Sequence, residues 1–161
     1  MKTIIVYYSM GGNTAYTAER TAQALHADLL ELKPVKAYPD KGFRKFLWGG
    51  KSAVMAEKPK LMPYTFHADQ YEQVVIGFPV WASRMAPPLR TFVEENKTVL
   101  QDKSIAVFAC QAGSGADKAF QKLRSLLSIP AFTAEMILID PKEKPDEMNE
   151  QTIRKFCDKL K

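Results

Sequence analysis

The chain has 161 residues, of which 46% are apolar and 25% are charged, and these proportions are typical of one folded domain. Lysine and arginine number 23 against 18 acidic residues, a net charge of +5, but the basic residues are scattered among acids, which argues against a nucleic-acid partner. No apolar run is long enough for a signal peptide or a membrane span, so we expect a cytoplasmic protein without a membrane partner.

Short apolar runs alternate along the chain with segments of helical periodicity. The apolar runs predict five strands, at 3–8, 28–33, 74–78, 104–109 and 132–139. Apolar residues at helical spacing predict helices at 15–25, 87–93, 116–127 and 148–160. The predicted apolar face of the last helix consists of Met148, Thr152, Phe156 and Leu160. The segment 34–63 is irregular, with one possible short helix at 43–48.

Strands that alternate with helices predict an α/β fold, a doubly wound five-stranded parallel sheet with helices on both faces, in a single domain over residues 1–161. Ligands bind to such sheets beyond the carboxyl ends of the strands. Candidate binding residues are therefore expected in the loops after the first, third and fourth predicted strands.

The loop after the first strand is rich in glycine and runs directly into a helix. It consists of Ser9, Met10, Gly11, Gly12, Asn13 and Thr14. Glycines let the backbone turn sharply, and the amides of a helix N-terminus favour an anion. The loop has no lysine or arginine, which suits a phosphate monoester better than a triphosphate. An ordinary capped turn is the alternative.

The loop after the third strand carries a tryptophan at the end of a buried segment. Its candidate binding residues are Pro79, Val80, Trp81, Ala82, Ser83 and Arg84. A planar apolar ligand could stack on the indole, and packing of Trp81 on a neighbouring helix is the less favoured alternative. Arg84 is either solvated or close to a ligand or an anionic substrate.

The loop after the fourth strand again opens a helix with glycines. Its candidate residues are Cys110, Gln111, Ala112, Gly113, Ser114 and Gly115. The backbone amides of this loop could bind the polar edge of a ligand, or the loop could be a plain helix cap. Cys110 and Cys157 are the two cysteines, which we expect to be reduced thiols.

The three loops together resemble those of the flavodoxin family. Residues Ser9 to Thr14 are similar to its phosphate loop, S/T-x-T-G-N-T, with Gly11 in place of the middle threonine. The loops around Trp81 and after Cys110 resemble its two flavin loops, and segment 42–51 with Lys58 and Pro59 resembles a subgroup of small bacterial members. The resemblance implies FMN as cofactor and the strand order 2-1-3-4-5. Separately, His26 and His67 lack metal-ligand spacing, so we expect no metal site, and we assign no catalytic residue.

Other phosphate-binding motifs do not fit. Gly49 to Ser52 matches only the end of a Walker A loop, because Lys45 stands where its first glycine is needed. The first loop does not match a dinucleotide-binding fingerprint, and it lacks the acidic residues of a receiver domain. The chain also departs from electron-carrier flavodoxins, which are strongly acidic, whereas this one is basic.

Two redox functions and one other function stay open. The first is an electron carrier between protein partners, and the second is an FMN-dependent NAD(P)H:quinone-type oxidoreductase that reduces a small-molecule acceptor. No nicotinamide motif is present, which favours the carrier, while the basic balance favours an acidic partner or an anionic substrate. The third is an interaction module without cofactor on the same fold. We expect a monomer or a weak homodimer.

Overall fold

A mostly parallel sheet with helices on both faces makes up the part of the chain that the computed structural model describes, residues 1–38 and 58–161. The strands are β1 (Thr3–Tyr7), β2 (Asp28–Glu31), β3 (Gln73–Trp81), β4 (Arg84–Met85), β5 (Ser104–Gln111) and β6 (Glu135–Ile139). The helices are α1 (Asn13–Leu25), α2 (Pro87–Leu100), α3 (Ala116–Leu127) and α4 (Glu147–Asp158), and a 3₁₀ turn spans Ala68–Gln70. Residues 39–57 lie outside the described residues. They include the helix predicted at 43–48, the segment Gly49 to Ser52 and the segment 42–51, whereas Lys58 and Pro59 are described.

The strand order confirms the predicted fold class. Five parallel strands run in the order β2-β1-β3-β5-β6, which is the expected 2-1-3-4-5 when the parallel strands are counted by themselves. β4 is an additional two-residue strand that pairs antiparallel with the end of β3. The strand order reverses between β1 and β3, so the loops after these two strands diverge and leave a crevice between them.

Alternate residues of the strands enter two separate cores. In β1, Ile4 and Val6 belong to the core beneath α2 and α3, whereas Ile5 and Tyr7 belong to the core on the opposite face. All four side chains are buried, as expected for a parallel strand covered on both faces. The continuous apolar run that predicted the strand therefore reflects burial on both sides of the sheet.

Gly77 allows the two central strands to pack closely. It lies in β3 next to Tyr7 of β1 and Phe108 of β5. A Cβ atom at this glycine would lie 2.2 Å from Cζ of Phe108, so the phenyl ring occupies the space of the missing side chain. Phe108 is fully buried, and its position depends on the glycine.

The third predicted strand was placed too short, because a hairpin extends it. β3 continues past Phe78 to Trp81, where Val80 pairs with Met85 and Trp81 pairs with Arg84. Trp81 therefore ends a strand and does not lie in a loop. The φ angles of Ala82 and Ser83 are 50° and 58°, as a two-residue I′ turn requires.

Two other predicted strand boundaries and one predicted helix face also differ from the structure. β5 continues to Gln111, so Cys110 and Gln111 are strand residues, and β6 begins only at Glu135. The predicted face of α4 was wrong at its start, because Met148 is 75% exposed. The buried residues of that helix are Ile153, Phe156 and Cys157.

The described residues contain no helix that is both long and apolar enough to cross a membrane. Within the same residues, no cluster of histidine, cysteine or acidic side chains is suited to a metal ion. Cys110 and Cys157 are both buried free thiols, as predicted.

Candidate functional site

A cleft of about 390 Å³ opens at the carboxyl edge of the sheet. It lies where β1, β3 and β5 end and their following loops begin, and a segment after β6 also contributes to it. Its lining residues are Met10, Gly11, Asn13, Thr14, Pro79, Val80, Trp81, Ala82, Cys110, Gln111, Ala112, Asp140 and Glu143.

The first loop presents the N-terminus of α1 to one end of this cleft. Gly12 caps the helix with a φ angle of 93°, a left-handed conformation that favours glycine. The hydroxyl oxygen of Ser9 accepts a hydrogen bond of 3.1 Å from the N–H of Ala15, so it supports the helix start and does not line the cleft. The N–H groups of the first turn have no partner within the helix, and no acidic residue lies in that turn. The helix start therefore contributes positive potential to this end of the cleft, which also has Asp140 and Glu143 in its lining.

Asn13 connects the first loop to the segment after β6. Its side-chain oxygen accepts a hydrogen bond of 2.8 Å from the backbone N–H of Lys142. The lysine side chain then passes over Gly12, where a Cβ atom would lie 2.7 Å from Nζ and 3.2 Å from Cδ of Lys142. The glycine therefore gives room to a lysine that is distant in sequence.

Trp81 lines the other end of the cleft within a cluster of aromatic rings. Its indole meets Tyr8 at 5.8 Å between ring centroids and Tyr38 at 5.2 Å, both nearly perpendicular. Tyr8 is 6% exposed, and burial, with a smaller effect of Tyr38, raises the pKa of its hydroxyl. The indole is partly buried, and the two tyrosines limit its orientation.

The second and third loops contact each other beside the cleft. A Cβ atom at Gly115, whose φ angle is 107°, would lie 2.8 Å from Oγ and 3.0 Å from Cα of Ser83. Gln111 supports the third loop, because its side-chain oxygen accepts a hydrogen bond of 3.0 Å from the N–H of Ala116. The start of α3 is thus held by a side chain from the end of a strand, in the same way as the start of α1 is held by Ser9.

Cys110 lies on the floor of the cleft as a neutral thiol. Its Sγ atom is 3.6 Å from the hydroxyl oxygen of Thr17, and its side chain is buried. Burial raises the pKa of this thiol to about 11, an effect that the hydroxyls of Thr17 and Thr14 partly offset. The site therefore carries a packing residue here and no reactive thiolate.

Two acidic residues of the cleft were not predicted. Asp140 and Glu143 follow β6, and the backbone of Asp140 has a φ angle of 40°. Its N–H donates to the carbonyl of Gln111 at 3.2 Å, which holds the segment against β5. The available signal was that β6 ends at the same edge of the sheet as the other parallel strands. This segment has no glycine, so the glycine-rich pattern used for the other loops could not identify it.

Not every predicted binding residue lines the cleft. Ser9 accepts a hydrogen bond at the start of α1, and Gly12 and Gly115 are the N-cap residues of α1 and α3. The predicted residues that lie outside the lining are Ser9, Gly12, Ser83, Arg84, Gly113, Ser114 and Gly115.

Arg84 faces a separate basic groove on the far side of the hairpin. The groove is lined by Arg84, Arg90, Gln121, Lys122, Ser125 and Leu126. Lys122 donates from Nζ to the carbonyl of Ser83 at 3.3 Å. Burial and the neighbouring charges of Arg84 and Lys118 lower the pKa of Lys122. This basic groove shares no lining residue with the cleft, although Ala82 of the cleft and Arg84 of the groove belong to the same hairpin.

The sheet order and the cleft at the reversal of that order define a flavodoxin-like α/β protein. The chain belongs to the flavodoxin family, whose model matches residues 2–156. No curated protein sequence matches it significantly.

Solved structures share its fold at low sequence identity. A crystal structure from Bacteroides eggerthii is 22% identical and covers 98% of this chain and 96% of its own, with a TM-score of 0.73. A flavoprotein from Lactobacillus acidophilus, solved in complex with FMN, is 21% identical over 88% of this chain and 95% of its own, with a TM-score of 0.70. A WrbA-like flavodoxin from Agrobacterium tumefaciens is 18% identical over 98% and 95%, with a TM-score of 0.61.

Proposed function

We propose that this chain binds FMN in the cleft and works as a cytoplasmic electron carrier between protein partners. The observation that carries the proposal is the cleft itself, which joins an electropositive helix start at Gly12 and Asn13 to an indole at Trp81. A flavin phosphate and a flavin ring differ in the same way, since one is anionic and the other is flat and largely apolar. The Lactobacillus acidophilus relative of the same fold was solved with FMN.

The phosphate end fits a monoester. Free backbone amides at the start of α1 would bind its oxygens, and the left-handed conformation at Gly12 lets the backbone approach closely. Thr14, which is 1% exposed and lines the cleft, adds a hydroxyl group. The chain places no acidic side chain in the first turn of α1 to compete with the phosphate.

The ring end fits a planar heterocycle. Trp81 would lie against the ring, while Tyr8 and Tyr38 limit the movement of the indole. The backbone amides of the lining segments 80–82 and 110–112 would bind the polar edge of the ring. FMN supplies reversible electron transfer, and the protein contributes orientation, electrostatics and exclusion of water.

A second candidate function is an FMN-dependent oxidoreductase that uses NAD(P)H and a quinone-type acceptor. The basic groove beside the hairpin favours it, because Arg84 and Lys122 are close to each other there and would attract an anionic substrate. Among the described residues neither of them makes an ion pair, whereas Arg90 in the same groove pairs with Glu94 at 3.3 Å.

The two functions are separated by turnover in the absence of any other protein. The purified chain, loaded with FMN, is mixed with NADH or NADPH and a soluble quinone, and nicotinamide oxidation is followed by absorbance. A carrier gives only the background rate and turns over when a reductase is added. Steady oxidation by the chain alone would instead support the oxidoreductase.

The interaction module without cofactor stays as the third alternative. It requires that the cleft have no affinity for FMN. A purified protein that takes up no FMN from a molar excess, as judged by flavin fluorescence after desalting, would support this alternative and exclude both redox functions.

A further inference from the structure

We propose that Lys142 binds the phosphate group of FMN and makes the cleft selective for phosphorylated over unphosphorylated flavin. The inference deepens the proposed function and rests on it. The lysine belongs to the segment after β6, and the three glycine-rich or aromatic loops on which the family assignment was based do not include it.

The position of the ammonium group is the first argument. A Cβ atom on Gly12 would lie 2.7 Å from Nζ of Lys142, so the ammonium lies directly beside the residue that caps α1. The start of a helix carries a partial positive charge, which disfavours a cation and favours an anion. An anion held between the amides of the first turn and this ammonium would neutralise both.

The absence of a competing partner is the second argument. Among residues 1–38 and 58–161, the side chain of Lys142 forms no ion pair or hydrogen bond, whereas Lys144 in the same segment pairs with Asp140 at 3.7 Å. No acidic residue lies in the first turn of α1. The charge of this lysine therefore has no counterion within the described part of the chain.

The rigidity of the segment is the third argument. The backbone N–H of Lys142 donates to the side chain of Asn13 at 2.8 Å, so the lysine is tied to the phosphate loop itself. The N–H of Lys144 donates to the carbonyl of Asp140 at 2.8 Å, and Asp146 caps α4 through the N–H of Asn149. Because these bonds involve the backbone of Lys142 and other residues, its side chain can be changed without removing them.

The test compares the binding of FMN and riboflavin, which differ only by the phosphate group. Each flavin is titrated with apo-protein and its fluorescence is followed, for the wild type and for Lys142→Gln, Lys142→Arg and Lys155→Gln. Lys155 is an exposed residue of α4 whose substitution changes the net charge equally. We expect Lys142→Gln to weaken the affinity for FMN by about tenfold and to leave the affinity for riboflavin within about twofold of the wild-type value. Lys142→Arg keeps most of the affinity for FMN, and Lys155→Gln changes the affinity for neither flavin.

Salt provides a second measurement. The affinity of the wild type for FMN falls as sodium chloride is added, and Lys142→Gln shows a shallower decrease because one charge pair is missing. Riboflavin affinity depends little on salt in either protein.

The outcomes distinguish this inference from the proposed function. If the wild type binds FMN but Lys142→Gln keeps the same ratio of FMN to riboflavin affinity, the role of Lys142 is overturned and the proposed function stands. An equal loss of affinity for FMN and for riboflavin would mean that the lysine only supports the loop, and this result also overturns the inference. If the wild type binds neither flavin, the proposed function itself fails.

Discussion

At the scale of single residues, the cleft depends on side chains whose surroundings restrict them. Trp81 contacts both Tyr8 and Tyr38, and Tyr8 is itself almost fully buried. Asn13 and Gln111 each use a side-chain oxygen to hold neighbouring backbone in place. A ligand would meet groups that are already oriented, and less conformational entropy is lost on binding as a result.

Replacing the indole tests the ring end of the cleft. We predict that Trp81→Ala weakens FMN binding by about 1–3 kcal/mol, because the stacking contact and part of the buried apolar area are lost. Titration of FMN fluorescence measures the change, and Trp81→Phe, which keeps an aromatic ring, loses less. An affinity equal to that of the wild type would remove Trp81 from the binding site.

At the scale of secondary-structure elements, the close packing of β3 on β5 fixes the positions of two of the binding loops. Phe108 occupies the space beside Gly77, and both strands continue to residues of the cleft, Pro79 and Cys110, which are themselves in register. A change in this pair of strands would therefore reach both Trp81 at the end of β3 and the loop after β5.

A methyl group at Gly77 tests this packing. We predict that Gly77→Ala lowers the free energy of unfolding by about 1–3 kcal/mol, because the ring of Phe108 must move out of a filled core. Urea denaturation measures the loss. Gly113→Ala is the control, since nothing lies within 4 Å of the added atom, and it should change stability by less than about 0.5 kcal/mol. Equal stability of the two variants would show that the core accommodates the methyl group.

Elements were predictable from the sequence where a single local pattern determined them. The apolar run Ile4 to Tyr7 identified β1 because both faces of that strand are buried. The hairpin was missed because its turn residues, Ala82 and Ser83, are not the glycine or asparagine that usually adopt positive φ angles.

The candidate site was predictable only in part, for a related physical reason. Glycine-rich loops at strand ends identified the segments after β1 and β5, since glycine itself reports an unusual backbone. Lys142 and Asp140 have no such local signal. The position of Asp140 at the cleft follows from the pairing of β6 with β5, and the position of Lys142 beside Gly12 follows from its hydrogen bond with Asn13. Long-range contacts of this kind are not visible in the spacing of residues.

At the scale of the whole molecule, the charge differs from that of the acidic flavodoxins that the sequence resembles. The net charge is +5, although Asp140 and Glu143 bring two carboxylates to the cleft, and Lys142 brings an ammonium beside Gly12. A net positive charge on the protein favours the added negative charge of a reduced flavin.

The reduction potential of bound FMN tests this electrostatic difference. We predict that the lower-potential couple is less negative than in acidic flavodoxins, because fewer negative charges oppose reduction. A spectroscopic redox titration measures it, and Asp140→Asn should shift the potential further in the positive direction. Asparagine tolerates the φ angle of 40° at this position, so the backbone is preserved. A couple as negative as that of the acidic proteins would contradict the prediction.

Occupation of the cleft by a flavin is the central claim, and the absorption spectrum of the purified protein tests it directly. We predict a yellow protein, or one that becomes yellow on incubation with FMN and stays so after desalting, with one FMN per chain and a visible band shifted from that of free FMN. A colourless protein that retains no flavin after incubation would contradict the central claim.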